Sequence, residues 1–311
     1  MKKTVPILLS VAVLLCCAPK KKQAPAPVQK RAFPQVEMPS MLEGDALSRM
    51  EYAAVHYWDA FTKGDYPTDS LLIGGVEKEE VERQMGIFAT LAGRLPNPEK
   101  AMSAMVDRIS AKPELFDPMT DLAERYFYDP NSPLRSEECY LYLASRLAAS
   151  PLVDETARGR YSFQAGMCSL NRPGTAAADF SFTDLSGRRR TLYSIKAKRL
   201  LLIFGNPDCT ACKELVRQMD MSAEISAKVA SGQLKVVDIF IDREVDAWKA
   251  GAADYPKKWI NGYDHNFTIR ENRLYNVRAI PSMYLLDTDK RVLLKDAPIE
   301  SVLEMLASEA D

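Results

Sequence analysis

The hydrophobic positions follow different periods in the two halves of this chain. Between residues 41 and 171, apolar side chains recur every three or four positions, as they do at Met50, Ala54, Tyr57 and Phe61. This spacing places the four side chains on one face of a helix. We therefore expect the N-terminal half to consist of amphipathic helices that each bury one face.

Capping signals in this half predict where several helices begin. Asn97 precedes Pro98 and Ser132 precedes Pro133, so that each pair puts a capping side chain before a proline suited to the first turn. Asp154 predicts the start of a further helix. In total we expect five or six helices and no strand, which makes this half an all-α helical domain.

From residue 172 onward the pattern is typical of strands. The stretch "ADFSFTDLSGRRRTLY" alternates apolar and polar residues around Ser186-Gly187, as a β-hairpin does. The remaining predicted elements are strands at 199–204 and 234–242, a helix from Cys209 to near Gly232, a mostly helical stretch over 244–277, strands at 282–287 and 291–296, and a helix over 298–309. The order β-β-β-α-β-α-β-β-α predicts an α/β fold over 172–311, with a mixed central sheet flanked by helices.

The N-terminus looks like an export signal. Two lysines precede an apolar run from Val5 to Leu15, which is too short to span a membrane but fits a signal peptide. The run ends at Cys16-Cys17 and resembles the lipobox of bacterial lipoproteins, which implies cleavage before Cys17 and lipidation of its thiol. An ordinary signal peptide cleaved after Ala18 is the alternative. We expect residues 1–17 to be a lipoprotein signal peptide.

Residues 18–40 have the composition of a linker. They contain five prolines, a lysine cluster and few large apolar residues, which predicts an extended, disordered tether between the lipid anchor and the folded part.

Composition excludes several functional classes. The formal net charge is -1, there are only two histidines, and no phosphate-binding or dinucleotide-binding glycine motif occurs. We therefore expect no nucleic-acid partner, no metal site and no cofactor. An exported protein works where disulfides persist, which makes its cysteines the main candidates for chemistry.

Cys139 and Cys168 lie in neighbouring predicted helices, the first early in its helix and the second at the end of the next. If those helices form an antiparallel hairpin, the two cysteines lie at the same end and could form a structural disulfide. The alternative is a pair of buried free thiols that behave as small apolar residues.

Cys209 and Cys212 are separated by two residues at the start of a predicted helix. Their Cα atoms would lie about 5–6 Å apart, within the range of a disulfide. The first sulfur faces the unpaired N–H groups of the helix, which stabilises a thiolate and makes Cys209 the nucleophile. Cys212 would then be the resolving thiol. A zinc site would need about four ligands, and a purely structural staple this small would add little stability.

Residues 174–311 resemble the thioredoxin fold, and specifically the tethered TlpA-like thiol-disulfide proteins of bacterial envelopes. The matching segments are "GTAAADFSFTDLSGRRRTL", "LLLIFGNPDCTACKE" and "LYNVRAIPSMYLLD". The resemblance implies that Pro281 is a cis-proline facing the cysteines and that Ile280 pairs with the backbone of a substrate. The helical half resembles an uncharacterised domain found with such modules in lipoproteins of Bacteroidetes-type bacteria.

The chain departs from this family at the positions that assist proton transfer. Ile203 stands where many thioredoxins carry a buried acid, and Leu215 stands where related reductases often carry a glutamate. Asp208 occupies the place of the usual tryptophan. Asp208 and Glu214 are therefore the candidate acid/base residues, with solvated surface charges as the alternative interpretation.

Together these features predict an oxidoreductase of the bacterial cell envelope, lipid-anchored and facing the periplasm. It would reduce disulfides of exported proteins, and the resemblance implies a membrane dithiol as its electron donor. One alternative is a binding or scaffold lipoprotein whose helical domain recognises a partner and whose thioredoxin fold is passive. Another is a chaperone or isomerase, which would need an oxidising potential.

Overall fold

A computed structural model of the protein describes residues 29–40, 45–252 and 254–308. The predicted signal peptide and the predicted lipidation site at Cys17 lie outside the described residues. Within the described part of the chain, no helix is long and apolar enough to cross a membrane.

The N-terminal half contains six described helices around one apolar core. Their bounds are α1 Ala46–His56, α2 Lys78–Gly93, α3 Glu99–Ser110, α4 Pro113–Phe127, α5 Glu137–Ala148 and α6 Glu155–Cys168. The core includes the fully buried rings of Trp58, Phe61, Phe88 and Phe127. Each such side chain contributes roughly 1.5–3 kcal/mol by leaving water, so the helical half can hold its own core.

A small hairpin corrects the expectation that this half has no strand. Strands β1 (Leu72–Ile73) and β2 (Val76–Glu77) pair in an antiparallel fashion. The turn between them is Gly74-Gly75, and both glycines have a positive φ. A strand of two residues is too short to leave a periodic signal in the sequence.

The predicted helix starts were correct at Asp154 and displaced at the other two positions. Asp154 accepts a hydrogen bond from the Ala157 N–H at the start of α6. The helix predicted to begin at Ser132-Pro133 begins instead after Ser136, whose hydroxyl accepts from the Cys139 N–H. Asn97 accepts from the Glu99 N–H, and its helix begins one residue later than expected. Of the three predicted starts, only the one at Asp154 was correct in both its capping residue and its register.

The later part of the predicted tether is docked on the helical domain. Arg31 donates hydrogen bonds to the backbone carbonyls of Gly74 and Phe61. The Phe33 ring contacts the ring of Trp58 edge-on, with centroids 5.7 Å apart. The expectation of a disordered tether is therefore wrong from residue 29 to about 37, because one arginine and one aromatic ring bind this segment to the core.

The C-terminal half contains a seven-stranded mixed sheet with the order β4-β3-β7-β6-β5-β8-β9. The strands are β3 Ser181–Asp184, β4 Arg189–Thr191, β5 Arg199–Phe204, β6 Leu234–Phe240, β7 Ile260–Tyr263, β8 Ser282–Leu286 and β9 Val292–Lys295. The helices are α7 Thr210–Met221, α8 Ala223–Ala230, α9 Val245–Ala252, α10 Thr268–Glu271 and α11 Ile299–Ser308. Strand β6 runs parallel to both β5 and β7, whereas the other pairs are antiparallel.

Two predicted elements of this half need correction. Strand β7 lies inside the stretch 244–277 that was expected to be mostly helical. It has only four residues, two of them Asn261 and Gly262, so its pairing with β6 rather than its own propensity defines it. The helix expected to run from Cys209 to near Gly232 is divided at Ser222, which ends α7 and caps α8.

Alternation along β5 separates two apolar layers. Leu200, Leu202 and Phe204 face one layer, and Leu201 and Ile203 face the other. The second layer also contains buried apolar residues of α7, α8 and α11, among them Leu215 and Met219 of α7. The start of α7, with its two cysteines, therefore lies over the face of the sheet to which Ile203 belongs.

The two halves meet in a buried ionic network, called the junction network below, formed by Glu137, Asn276, Arg278, Lys295 and Asp296. Glu137, the first residue of α5, accepts from the Asn276 amide at 2.6 Å and contacts Arg278 Nε at 3.1 Å and Lys295 Nζ at 2.8 Å. Arg278 also contacts Asp296 at 3.1 Å. The junction network thus connects the helical half to the segment that precedes Pro281.

Cys139 and Cys168 are free, buried thiols rather than a disulfide. Burial raises the pKa of each thiol to about 12, so both stay protonated near neutral pH. The Cys139 backbone is held by the Ser136 cap, whereas the Cys168 sulfur lies 4.0 Å from the Asn276 amide at the junction. The structure therefore supports the alternative in which they act as small apolar residues.

Candidate active site

Cys209 occupies the N-cap position of α7. Its N–H donates to the Asn206 carbonyl at 3.0 Å, and its Sγ accepts from the Cys212 N–H at 3.4 Å. The backbone of Cys209 is extended rather than helical, which turns its side chain toward the free N–H groups of the first turn. The helix dipole and this N–H group both favour negative charge on the Cys209 sulfur. The sulfur is partly exposed, so a substrate can reach it.

Cys212 lies one turn further along α7 and is only 2 % exposed. Burial is the main cause that raises the pKa of the Cys212 thiol, and the charges of Cys209 and Asp238 raise it further. A backbone hydrogen bond from Asn206 acts in the opposite direction. Cys212 therefore has the protonated, shielded thiol expected of a resolving cysteine.

The loop before β8 places Ile280 and Pro281 beside Cys209. The Ile280–Pro281 peptide bond is cis, as the family resemblance implies. The Cys209 thiol donates to the Ile280 carbonyl with a sulfur–oxygen distance of 3.8 Å. Among the described residues, the Ile280 N–H has no hydrogen-bond partner. This loop and Cys209 thus form one partly exposed surface with a free backbone donor.

The candidate acid/base residues Asp208 and Glu214 are both exposed. Glu214 forms a two-bond ion pair with Arg217, and these hydrogen bonds lower the pKa of the Glu214 carboxyl. Within the described part of the chain, neither carboxylate forms a hydrogen bond with Cys209 or Cys212. The alternative interpretation, solvated surface charges, fits the structure better.

The structure places a buried acid that is not among the predicted site residues, Asp238, on β6. Its side chain is 2 % exposed, and burial raises its pKa to about 7. Its Cα pairs in register with that of Ile203, the position at which the family's acid is absent. The available signal was an aspartate inside the otherwise apolar run "LKVVDIFID". The apolar pattern of this run predicts a buried strand but assigns no role to its aspartate.

Over residues 29–40, 45–252 and 254–308, no group of three or more histidine, cysteine, aspartate or glutamate side chains is placed to hold a metal ion.

Comparison with known proteins agrees with this architecture. The family model of DUF5106, a domain of unknown function, matches residues 16–171. A solved thioredoxin-like protein from Bacteroides caccae is 34% identical, with a TM-score of 0.78; the match covers 90% of this chain and 99% of that one. No curated protein matches the sequence.

Two further solved structures each match less than half of this chain. The C-terminal domain of an uncharacterised protein from Bacteroides fragilis is 44% identical over 44% of this chain and 98% of that one, with a TM-score of 0.43. A domain of a possible thiol-disulfide isomerase from Cytophaga hutchinsonii is 25% identical over 45% of this chain and 94% of that one, with a TM-score of 0.39. With its N-terminal half matched by DUF5106 and nearly its whole length matched by the Bacteroides caccae protein, the chain belongs to the DUF5106 family and is a two-domain, thioredoxin-like protein.

Proposed function

We propose that this protein is a thiol-disulfide oxidoreductase whose redox pair is Cys209 and Cys212. The observation that carries the proposal is the arrangement of three groups at the start of α7. An accessible sulfur caps the helix, a buried thiol lies one turn behind it, and the loop of the cis-proline lies 3.8 Å from the first sulfur.

The first step is attack by the Cys209 thiolate on a substrate disulfide. The Cys209 sulfur forms a bond to one substrate sulfur, the substrate S–S bond breaks, and the other substrate sulfur leaves as a thiolate. The Cys212 N–H and the helix N-terminus stabilise the attacking thiolate because both present positive charge to it. The product is a mixed disulfide between Cys209 and the substrate.

The second step is attack by Cys212 on the Cys209 sulfur. The Cys209–Cys212 disulfide forms, the mixed disulfide breaks, and the second substrate sulfur leaves as a thiolate that takes up a proton. The enzyme's pair has then lost two electrons and the substrate has gained them. Burial of Cys212 keeps substrates away from the resolving sulfur, which fixes the order of the two attacks.

Substrate binding is assigned to the backbone of Ile280 and to Pro281. The free Ile280 N–H can donate to a carbonyl of an extended substrate segment, as in strand addition to a sheet edge. Backbone pairing of this type recognises chain conformation rather than side-chain identity. Disulfide-containing proteins of varied sequence could therefore be substrates.

The proposed setting is the bacterial cell envelope, with a lipid anchor at Cys17 and the folded part facing the periplasm. The apolar N-terminal run that ends in two cysteines supports export and anchoring. In such a compartment the oxidised pair must be reduced again, and we assign this step to a membrane-borne dithiol that supplies two electrons. Its substrates would be disulfide-containing proteins of the same compartment.

Two experiments test this function. Purified protein should accelerate the reduction of insulin by dithiothreitol, and Cys209→Ser should abolish the acceleration. In cells, Cys212→Ser should accumulate mixed disulfides that disappear when the extract is treated with a reductant. Absence of both effects would overturn the proposal. The alternative, a binding lipoprotein, predicts a different result. Cys209→Ser would then leave function in cells intact, whereas deletion of residues 41–170 would abolish it.

A further inference from the structure

A row of paired residues crosses the sheet directly beneath the start of α7. Asp238 on β6 is in register with Asn261 on β7 and with Ile203 on β5, and Ile203 is in register with Met283 on β8. Paired residues of neighbouring strands point to the same face of a sheet. Ile203 and Met283 belong to the apolar layer that contains the buried side of α7. Asp238 therefore faces the helix that carries Cys209 and Cys212.

The Asp238 carboxyl lacks the partners that a buried acid normally has. It is 2 % exposed, and its Oδ1 atom has no hydrogen-bond partner among the described residues. Asp264, another buried acid, also has an Oδ1 without a partner among the described residues, but its Oδ2 accepts from the Ile269 N–H at 2.7 Å. A buried carboxylate without a partner costs free energy, so it calls for a functional explanation.

The position of the carboxyl can be fixed from Gly205, the residue that follows β5. A Cβ atom added to Gly205 would lie 2.9 Å from Asp238 Oδ2 and 3.3 Å from Oδ1. The carboxyl therefore reaches past β6 to the end of β5, where the chain turns toward Cys209. Glycine at this position leaves the space that the carboxyl occupies.

Two other titratable groups share this buried space. The charge of Asp238 raises the pKa of Cys212, and the charges of Asp238, Cys212 and Cys209 all raise the pKa of Tyr255, for which burial is the main cause. The Tyr255 hydroxyl also has no hydrogen-bond partner among the described residues. We refer to Cys212, Asp238 and Tyr255 as the redox-proximal cluster. Asn261 is the uncharged polar neighbour of this cluster on β7.

We propose that the Asp238 carboxylate takes the proton from the Cys212 thiol when Cys212 attacks the mixed disulfide. This inference rests on the proposed oxidoreductase function. The Cys212 S–H bond breaks and the proton moves to Asp238, directly or through one water. The electron pair left on sulfur forms the bond to the Cys209 sulfur. When the Cys209–Cys212 disulfide is later reduced, Asp238 returns the proton to Cys212.

The other groups nearby cannot perform this transfer. Tyr255 keeps its proton because its pKa is raised further above its ordinary value. Asp208 and Glu214 are exposed, and Glu214 is held by Arg217. A proton acceptor works best when its pKa lies near the working pH, and the pKa of Asp238, about 7, satisfies this condition.

The proposal is tested by observing the two steps separately with Ellman's reagent. The full chain carries Cys16→Ser and Cys17→Ser in every variant, so that the N-terminal thiols do not react. Attack by Cys209 releases one thionitrobenzoate, and resolution by Cys212 releases the second. In Asp238→Asn we expect the second release at pH 7 to slow by about 100-fold, the size typical of lost general-base catalysis. The first release should be unchanged.

The pH profile gives the readout that a merely structural role would not change. The resolution rate of the parent protein should rise to a plateau above pH 7, whereas that of Asp238→Asn should continue to rise with hydroxide concentration. Asp208→Asn and Glu214→Gln serve as matched controls and should keep the parent profile. A second measurement is the infrared difference between the mixed disulfide and the resolved protein, in which a protonated carboxyl band should appear only when Asp238 is present.

The outcomes separate this inference from the proposed function. If the parent protein releases no second thionitrobenzoate, the redox pair itself is refuted and the role of Asp238 with it. If the parent protein resolves normally and Asp238→Asn shows the same rate and pH profile, the proposed function stands and Asp238 is not the proton acceptor.

Discussion

Two buried carboxylates, Glu137 and Asp238, lie in opposite kinds of surroundings. Glu137 is 4 % exposed and Asp238 is 2 % exposed, so both have left water almost completely. Glu137 has the Asn276 amide, Arg278 and Lys295 within 3.1 Å. Asp238 has no cation in contact within the described part of the chain and an unpartnered Oδ1. The same chemical group is thus stabilised at the domain junction and left unstabilised behind the cysteines.

The two sites also differ in what their titration can do. Burial raises the pKa of Glu137, but Lys295 and Arg278 oppose this shift. At Asp238 burial alone sets the pKa at about 7. The charges of Lys295 and Arg278 favour the ionised form of Glu137, and their contacts with the carboxyl connect the two halves of the chain. A carboxyl with no opposing charge can change its protonation state near neutral pH.

The difference separates a buried charge that holds two halves of the chain together from a buried charge that we propose takes part in proton transfer. The junction network holds Asn276 and Arg278, which lie four and two residues before Ile280. The helical half therefore contributes to the placement of the loop that carries Pro281. Within the described residues, in contrast, the redox-proximal cluster makes no ion pair that a proton transfer would have to break.

The largest expected effect on stability is that of Glu137→Gln, which disrupts the junction network. The substitution leaves Arg278 and Lys295 buried without their common carboxylate. Breaking a buried ion pair from one side costs about 3–5 kcal/mol, because the remaining charge cannot return to water. We expect chemical denaturation to show a lower free energy of unfolding by this amount.

Glu138→Gln is the matched control for this substitution. Glu138 is the next residue of α5 and pairs with Arg172, and both side chains are partly exposed. Such a pair contributes about 0–1 kcal/mol. Equal losses of stability in the two variants would contradict the expectation that a buried ion pair contributes more than a partly exposed one.

Asp238→Asn should have the opposite effect on stability. The pKa of Asp238 rises from an ordinary 3.8 to about 7 in the folded protein. Below pH 3.8 the group is neutral in both states and imposes no penalty. As the pH rises to 7, the unfolded chain ionises more easily than the folded one, and the parent protein loses stability. The neutral asparagine avoids this loss of about 4 kcal/mol.

Denaturation curves at several pH values would check this prediction. The stability difference between Asp238→Asn and the parent should be near zero at pH 3.5, grow between pH 4 and 7, and stay constant above. A difference independent of pH would show that Asp238 is not forced to ionise in a buried site. Together with slower resolution, a more stable variant would be an exchange of stability for activity.

The placement of Cys209 and Cys212 at the start of α7 could be predicted from the sequence because its signals are local. The apolar run of β5, the turn at Asn206 and the start of α7 lie within a few residues of each other, and local patterns predict such units well. The cis-proline segment followed from its resemblance to a family motif. The split of the long helix at Ser222 was not predicted, although it depends on a single capping residue.

The parts that could not be predicted depend on residues far apart in the chain. Glu137 meets Asn276 and Arg278 across sequence separations of 139 and 141 residues. Asp238 faces Cys212 only because β6 pairs with β5 in one particular register. A shift of that register by one residue would turn Asp238 to the other face of the sheet. Periodicity shows that a strand is buried, but it does not show which neighbours its polar residue will meet.

Gly205→Ala tests whether the Asp238 carboxyl needs the space beside it. The added Cβ would lie 2.9 Å from Oδ2, so the carboxyl has to move. Overpacking of this kind costs about 1–3 kcal/mol. Gly159→Ala on α6, where a Cβ meets nothing within 4 Å, should instead raise stability by roughly 0.5–1 kcal/mol. Parallel thermal denaturation of both variants would check these signs, and a stabilised Gly205→Ala would contradict the proposed position of the carboxyl.

The smallest expected effect is that of Glu214→Gln, which removes an acid close to the cysteines in sequence. Glu214 is on the exposed side of α7, and its ion pair with Arg217 is screened by solvent. We expect insulin reduction by this variant to match the parent protein from pH 6 to 8, at both low and high salt. A clear loss of activity would return Glu214 to the list of proton-transfer groups. An unchanged rate, beside a slowed Asp238→Asn, would show that burial rather than nearness along the chain selects the acid.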